Sequence, residues 1–391
     1  SDLITKIEPH DSVERYSSLG VDCIEGSAKI LSPWEIEVNG KVITTKNITI
    51  ATGARPFVPP IPGLSEIDYL ISDNLWDIRE LPKRFVVLGG GPIGLEIAQC
   101  FRRFGSEVFV IEMAPRIMIK EDPEVSQLIQ KKLESEGVNV LINHRAKEFK
   151  GKTLICDFEG KDVSIDFDQV LVAVGRKPNV SGFGLEELGV SLRRNGTIDS
   201  DDYLRTNYPN IYACGDVTGP FQLTHTAAHQ AWYCAVNGLF GRFKNFKVDY
   251  SVIPWATYTD PEVATVGQNE ESCKQQGIKY EVTRYGIDDL DRAIADSEDF
   301  GFVKVLTKPG SDKILGATIV GQHASDLLLE FISATKNGFG LEKILGTIHP
   351  YPTMGEANKY LAGEWKKSRA PEGLLSWVEK FHRWERGGEK V

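Results

Sequence analysis

A chain of 391 residues and 43.5 kDa exceeds what one hydrophobic core usually organises, so two or three domains are expected. Its 41% hydrophobic content is enough to build them, yet no run approaches the roughly 18–20 apolar residues of a membrane span. A net charge of -10 and a pI near 5.4 argue against nonspecific nucleic-acid binding, which needs clustered Lys and Arg, and favour a small-molecule substrate.

Six cysteines, Cys23, Cys100, Cys156, Cys214, Cys234 and Cys273, stand far apart with no C-x-x-C among them. Such spacing reads as reduced cytoplasmic thiols, each a small buried hydrophobe rather than a nucleophile. The opening Ser1-Asp2-Leu3 has neither a basic nor an apolar leader pattern, so an unprocessed chain is the expectation.

In chain order, a seam at Leu81-Pro82-Lys83 gives way to Arg84 to Leu88, a short β-favouring apolar run read as a buried parallel strand. Three glycines follow, then a helical pattern with Ile93, Ile97, Ala98, Phe101 and Phe104 on one stripe and Gly105 as a left-handed C-cap. Glu107 to Ile111 is the second strand. Asp122 is expected to cap a further helix, with Pro123 in its first turn, Val125, Leu128, Ile129 and Leu133 at helical spacing, and a stop at Gly137. Val138 to Ile142 completes a βαβαβ unit whose parallel strands require right-handed crossovers. Lys152 to Cys156, Val163 to Phe167 and Gln169 to Val174 read as an antiparallel insert returning the chain to the sheet. A strand at Ile211 to Ala213 and a helix from about Thr226 to Leu239 follow. From about Val252 the texture is antiparallel, with Phe302 to Leu306 and Ile314 to Val320 flanking a Lys308-Pro309-Gly310-Ser311-Asp312 turn.

Gly89-Gly90-Gly91-Pro92-Ile93-Gly94 is a G-x-G-x-x-G run that leaves a strand and opens a helix. Gly89 permits the tight turn, Gly91 lets the backbone approach a pyrophosphate, and Gly94 lets helix and strand pack closely. Free N–H groups at the helix N-terminus then face the phosphates. Glu112 ends the second strand 18 residues beyond Gly94, where a carboxylate accepts from an adenine-ribose diol and repels a 2′-phosphate. NAD(H) is therefore favoured over NADP(H), with nearby Arg116 as the one feature pointing the other way.

With this motif in hand, Ala51-Thr52-Gly53-Ala54-Arg55-Pro56, Val174-Gly175-Arg176-Lys177-Pro178-Asn179, Ile211-Tyr212-Ala213-Cys214-Gly215-Asp216, Tyr258-Thr259-Asp260-Pro261-Glu262-Val263-Ala264, Gly316-Ala317-Thr318-Ile319-Val320-Gly321 and His349-Pro350-Tyr351-Pro352-Thr353-Met354-Gly355-Glu356 fall into order. Together they resemble the pyridine nucleotide-disulfide oxidoreductase family, which includes dihydrolipoamide dehydrogenase, glutathione reductase and mercuric reductase. The resemblance runs to about residue 363. It implies an α/β chain of Rossmann-like FAD- and NAD(P)-binding domains, the FAD domain incomplete, followed by a C-terminal α+β dimerisation domain.

The domains implied are residues 1-80 as the first part of the FAD-binding domain, 81-179 as the NAD-binding domain, 180-250 as the returning FAD part, 251-363 as the dimerisation domain through which a homodimer forms, and 364-391 as an amphipathic tail. Thr52, Gly53, Gly175 and Asp216 are the implied cofactor residues beyond the glycine motif, Asp216 bonding the ribityl chain of FAD. The plain alternative for Asp216 is a helix N-cap, since a helix is expected soon after it. Glu96 is similar to the family glutamate beside flavin and nicotinamide, the plain alternative being a helix-face carboxylate.

Thiol-handling relatives place a histidine immediately before Pro-Thr, oriented by a glutamate three residues after that threonine, to move protons. Here that place is Tyr351, with Glu356 retained and His349 two residues upstream. Mercuric reductase is similar in putting a tyrosine there. With an intrinsic pKa of about 10, a tyrosine is a poor base near neutrality but a hydrogen-bond donor or soft-metal neighbour. Packing in a Pro-bracketed loop is the alternative.

The family's first G-x-G-x-x-G and its C-x-x-x-x-C pair find no match here, so the expectation is that the chain by itself holds FAD weakly or not at all. In the tail, Leu374, Trp377, Val378, Phe381 and Trp384 form an apolar stripe after Pro371, expected to dock on the dimerisation domain, with a membrane-surface or partner helix as the alternative. The expected activity is electron transfer from NADH through FAD to a disulfide, metal-ion or quinone-like acceptor. A NAD-binding, dimerising module without turnover of its own is the competing expectation.

Overall fold

The computed structural model describes residues 2–387 and divides into two compact units. One comprises the residues up to Arg55 together with Arg176–Val248. In it Ala28–Ser32, Glu35–Val38 and Lys41–Thr44 form an antiparallel sheet. Ile48–Ile50 pairs in parallel with Ile211–Ala213, so the segments that follow these two strands leave from the same edge. Ile30, Ile48, Ile50, Leu185, Ile198, Ile211 and Val217 close the core over them.

The other unit comprises Pro56–Gly175 and the described residues from Asp249 onward. Its parallel sheet has the order Gln169–Val172, Arg84–Leu88, Glu107–Ile111, Val138–Leu141, with the helices Pro92–Phe104 and Pro123–Ser135 as crossovers. The antiparallel insert has three strands, Arg145–Lys150, Thr153–Phe158 and Lys161–Asp166. Its first strand is polar and half-exposed, so no period-2 apolar signal marks it. A five-stranded antiparallel sheet follows, Pro254–Thr257, Glu262–Gly267, Ile314–Gly321, Phe302–Thr307 and Glu281–Gly286 in spatial order, with Ala324–Asn337 packed on it. Among the described residues no helix is long and apolar enough to cross a membrane.

Four sequence expectations change. Gln169–Val172, expected in the antiparallel insert, instead pairs in parallel with Arg84–Leu88 in the main sheet. The helix after the glycine motif buries Leu95, Ala98, Gln99 and Phe101, whereas Ile93 and Phe104 are exposed. Ile93 and Phe104 lie about half a turn from Leu95 at 3.6 residues per turn, while Ile97 is half-buried and packs on the core, so the proposed stripe was two faces merged into one. Cys23 and Cys100 are exposed; only the other four cysteines are buried. The tail forms a helix, Glu372–Glu385, but its stripe does not dock on the described chain. Leu374, Trp377, Phe381 and Trp384 are all exposed, and the rings of Trp377, Phe381 and Trp384 pack on one another instead.

Side-chain bonds join the βαβαβ part to the five-stranded sheet. Gln99 donates to the Asp260 carbonyl at 2.8 Å and accepts from the Asp260 N–H at 2.8 Å, and Arg103 bridges Glu136 and Asp260. Glu121, 3% exposed, accepts from Trp255 Nε1 at 2.5 Å and Thr265 Oγ1 at 3.0 Å. Burial raises the Glu121 pKa, against the pull of those two bonds. A carboxyl whose folded pKa lies above its unfolded value contributes stability that is fully present below the unfolded value and is lost as pH rises through the folded one. Glu121→Gln, which keeps a neutral side chain at every pH, should therefore gain on the wild type as pH rises from 4 to 8. Urea unfolding across that range checks it, and a pH-independent difference would refute it.

Candidate functional site

The glycine turn sits at the C-terminal end of Arg84–Leu88, the second of four parallel strands, where α/β sheets bind ligands. Gly89 has φ +107, and a Cβ there would meet the Ala173 carbonyl oxygen at 2.5 Å. At Gly94 a Cβ would meet the Gly89 carbonyl oxygen at 2.1 Å, which is the close helix-to-strand approach the motif requires. Gly91 differs: a Cβ there would meet nothing within 4 Å. The turn is thus closed at Gly89 and Gly94 and open at Gly91.

Glu112 closes this turn. Its Oε2 accepts from Gly90 N–H at 2.8 Å and its Oε1 from Ala114 N–H at 2.7 Å, so the carboxylate is held at the rim of the glycine loop. Met118 N–H bonds the Gly90 carbonyl at 2.8 Å, folding the loop after Glu112 back over the turn. Arg116 is committed elsewhere: its guanidinium donates to the Glu121 carbonyl at 2.5 Å and Ser126 Oγ at 3.3 Å and pairs with Glu271 at 3.4 Å. The cation that sequence reasoning set against NAD(H) is thereby occupied.

Glu96 projects from the same helix and accepts from the Tyr258 N–H at 2.9 Å. Burial raises its pKa, partly offset by that bond, so it holds a proton more readily than an ordinary glutamate. Gly175, at φ +131, lies three residues beyond the strand beside the turn and its carbonyl accepts from Phe57 N–H at 2.9 Å.

In the other unit, Thr52 and Gly53 follow Ile48–Ile50, and Asp216 follows its parallel neighbour Ile211–Ala213. Asn179 ties the first pair down: Thr52 Oγ1 donates to the Asn179 carbonyl at 2.7 Å, and Asn179 N–H donates to the Gly53 carbonyl at 3.0 Å. Asp216 is not a helix N-cap, since it sits inside the 3-10 turn Gly215–Val217 and the next helix begins at Thr224. Its Oδ2 instead accepts from Arg176 Nε at 3.2 Å. Arg176 stands in the Val174 to Asn179 motif, but a pairing across 40 residues leaves no local signal of this role.

The residues of the His349 to Glu356 segment part company. His349 is 9% exposed by its side chain and turns to Glu330, its Nε2 3.0 Å from Oε1, with Nδ1 3.1 Å from the Thr347 carbonyl. Glu356, 7% exposed, accepts from Thr353 N–H at 3.2 Å and Tyr360 OH at 3.3 Å. Tyr351 is 69% exposed and donates to Asp291 Oδ2 at 2.9 Å, which raises its pKa and keeps it a donor. Tyr351, Glu356, Tyr360, Tyr285, Asp291 and Lys367 line a cavity of about 450 Å³, from which His349 is absent. Asp291 and Glu330 were missed by sequence reasoning, neither lying in a motif.

Comparison with known proteins places this geometry. The pattern of the pyridine nucleotide-disulphide oxidoreductase family matches residues 6–231, and that of its dimerisation domain residues 253–362. The mercuric reductase of Staphylococcus aureus is 35% identical over 364 residues, covering 92% of this chain and 66% of the relative. For the mercuric reductase of Bacillus cereus the figures are 36% identity, 92% and 57%, so the chain spans less than two thirds of these first relatives. The dihydrolipoyl dehydrogenase of Chlamydia muridarum is 34% identical, over 86% of this chain and 73% of its own. Among solved structures, the Cu(II) complex of the HOCl-induced flavoprotein disulfide reductase RclA from Escherichia coli superposes with a TM-score of 0.80 at 26% identity, covering 88% of this chain and 81% of that one. The cofactors of the family are FAD and NAD(P)H. On both matched regions, the chain belongs to the pyridine nucleotide-disulphide oxidoreductase family.

Proposed function

We propose that this chain acts in a homodimeric, cytoplasmic flavoprotein oxidoreductase that takes electrons from NADH and delivers them to a disulfide, metal-ion or quinone-like acceptor. The observation that carries the reading is the Glu112 carboxylate held against the Gly90 N–H at the mouth of an open glycine turn. FAD, when bound, supplies the two-electron relay between dinucleotide and acceptor. Gly89, Gly91 and Gly94 shape the pyrophosphate cradle, and Glu112 accepts from the adenine-ribose hydroxyls. Glu96, with its raised pKa, is suited to hold a proton beside the nicotinamide. Asp216, whose carboxylate accepts from Arg176, would accept from a ribityl hydroxyl of FAD, and its bond to Arg176 supports the reading. Tyr351 is the acceptor-side donor, and the dimerisation domain is the surface for the second copy.

Glu112→Gln should weaken NADH binding by about tenfold while changing NADPH binding less, because one charge-assisted acceptor is replaced by an amide N–H facing a donor. Titration with both dinucleotides decides this, and an unchanged NADH-to-NADPH ratio would count against it.

NADH oxidation with a quinone-like dye, with and without added FAD, tests the whole reading. Turnover that requires FAD and prefers NADH supports it. Tight NADH binding with no turnover under either condition would favour a binding and dimerising module instead.

A further inference from the structure

The strand Ile211–Ala213 runs into Cys214, and the helix Thr224–Phe240 lays Cys234 against it. Both are buried, at 6% and 2% exposure. Cys234 Sγ donates to the Ala213 carbonyl at 3.8 Å, the carbonyl of the peptide that leads into Cys214, so the two cysteines are neighbours and each thiol shifts the titration of the other. None of the electron-transfer roles above uses either sulfur. The pair is asymmetric: the neighbouring Cys234 draws the Cys214 pKa down, while Cys214 and burial push that of Cys234 up. Cys214 therefore has the greater thiolate character, and Cys234 keeps its proton.

The backbone around the pair is already held in place. One helical turn before Cys234, Gln230 is fully buried; it accepts from Gly215 N–H at 2.6 Å and donates to the Gly219 carbonyl at 2.8 Å. Gln230 thus ties the helix to the loop that follows Cys214, so the backbone on that side of the pair is fixed.

We propose that Cys214 and Cys234 form an oxidisable dithiol that closes to an intramolecular disulfide when a peroxide reaches it. The Cys214 thiolate attacks one peroxide oxygen, the O–O bond breaks, and the second oxygen departs with a proton as water or an alcohol. Cys214 is left as a sulfenic acid. Cys234 then attacks that sulfur; the S–S bond forms, the S–O bond breaks, and the hydroxyl leaves as water with the Cys234 proton. Two thiols lose two electrons in total and one peroxide gains them. The disulfide fastens the Gly215–Val217 turn, which carries Asp216, to the helix.

The test uses the full chain treated with hydrogen peroxide, alkylated at its remaining thiols and digested without reductant. A cross-linked peptide containing Cys214 and Cys234, formed at a rate independent of protein concentration and released by dithiothreitol, is expected. In Cys234→Ser, Cys214 should progress to the sulfinic acid instead. Full alkylation of both cysteines after unfolding, at peroxide concentrations that oxidise the exposed Cys23 and Cys100, overturns the proposal, as does a disulfide joining Cys214 to any other cysteine. Neither result depends on dinucleotide or flavin binding.

Discussion

Lys304→Met is expected to lower the stability of the unit that contains it by about 3–5 kcal/mol, the cost of removing one partner from a buried ion pair. Lys304 lies in the fully buried strand Phe302–Thr307 and is itself 2% exposed. Its ammonium donates to Asp122 at 2.5 Å, to Glu124, and to Glu270 at 3.1 Å. Burial works against its charge, but the bonds to Asp122 and Glu124 outweigh it, and its pKa stands above the ordinary lysine value. The three carboxylates converge closely enough to hold a cation, and that cation is Lys304. Methionine preserves the stem and leaves Asp122, also 2% exposed, without its counter-charge. Two backbone bonds, from the N–H groups of Glu270 and Glu271, stay on Asp122 and cannot neutralise it. Urea unfolding measures the loss, and adding Asp122→Asn should restore a large part of it. A loss below about 1 kcal/mol, the range of exposed pairs, would show that the cluster is solvated.

Gly94→Ala is expected to weaken NADH binding by about tenfold or more, from the 1–3 kcal/mol typical of overpacking. The added carbon would stand 2.1 Å from the Gly89 carbonyl oxygen and 3.2 Å from Val87 Cγ1, so the turn must move off the helix. Gly91→Ala is the informative companion. With nothing within 4 Å of its new carbon and φ already at −86, it should unfold like the wild type yet bind NADH less well, because the methyl occupies space offered to the pyrophosphate. Calorimetric titration alongside urea midpoints separates the two effects. Wild-type affinity in both variants would mean that the dinucleotide does not lie on this turn.

Much of the βαβαβ unit was legible because its signals are local. Arg84 to Leu88 and Glu107 to Ile111 end where the sequence placed them, and Gly105 is the left-handed cap of the helix between. The hairpin around Lys308 to Asp312 was equally plain. Periodicity failed where it was asked to name a partner. Lys304 meets Asp122 across 182 residues and Tyr351 meets Asp291 across 60, and neither pairing leaves a trace in residue spacing. The stripe on the helix after Gly91 failed for a related reason: Ile93 and Phe104 are apolar without facing the sheet, and composition alone does not give an apolar residue its direction. Asp122 shows a third limit. It occupies the N-cap position, but its carboxylate makes no capping bond, being drawn instead to Lys304 and to the N–H groups of Glu270 and Glu271.

The seating of Gln99 and Glu96 on the segment from Tyr258 to Asp260 leaves two backbone amides that, among the described residues, donate to side chains of another element. In deuterated solvent, the amides of Tyr258 and Asp260 would therefore exchange no faster than that helix lifts away from them. Their exchange rates give a clock for a local opening at the very helix whose first turn we propose as the dinucleotide site.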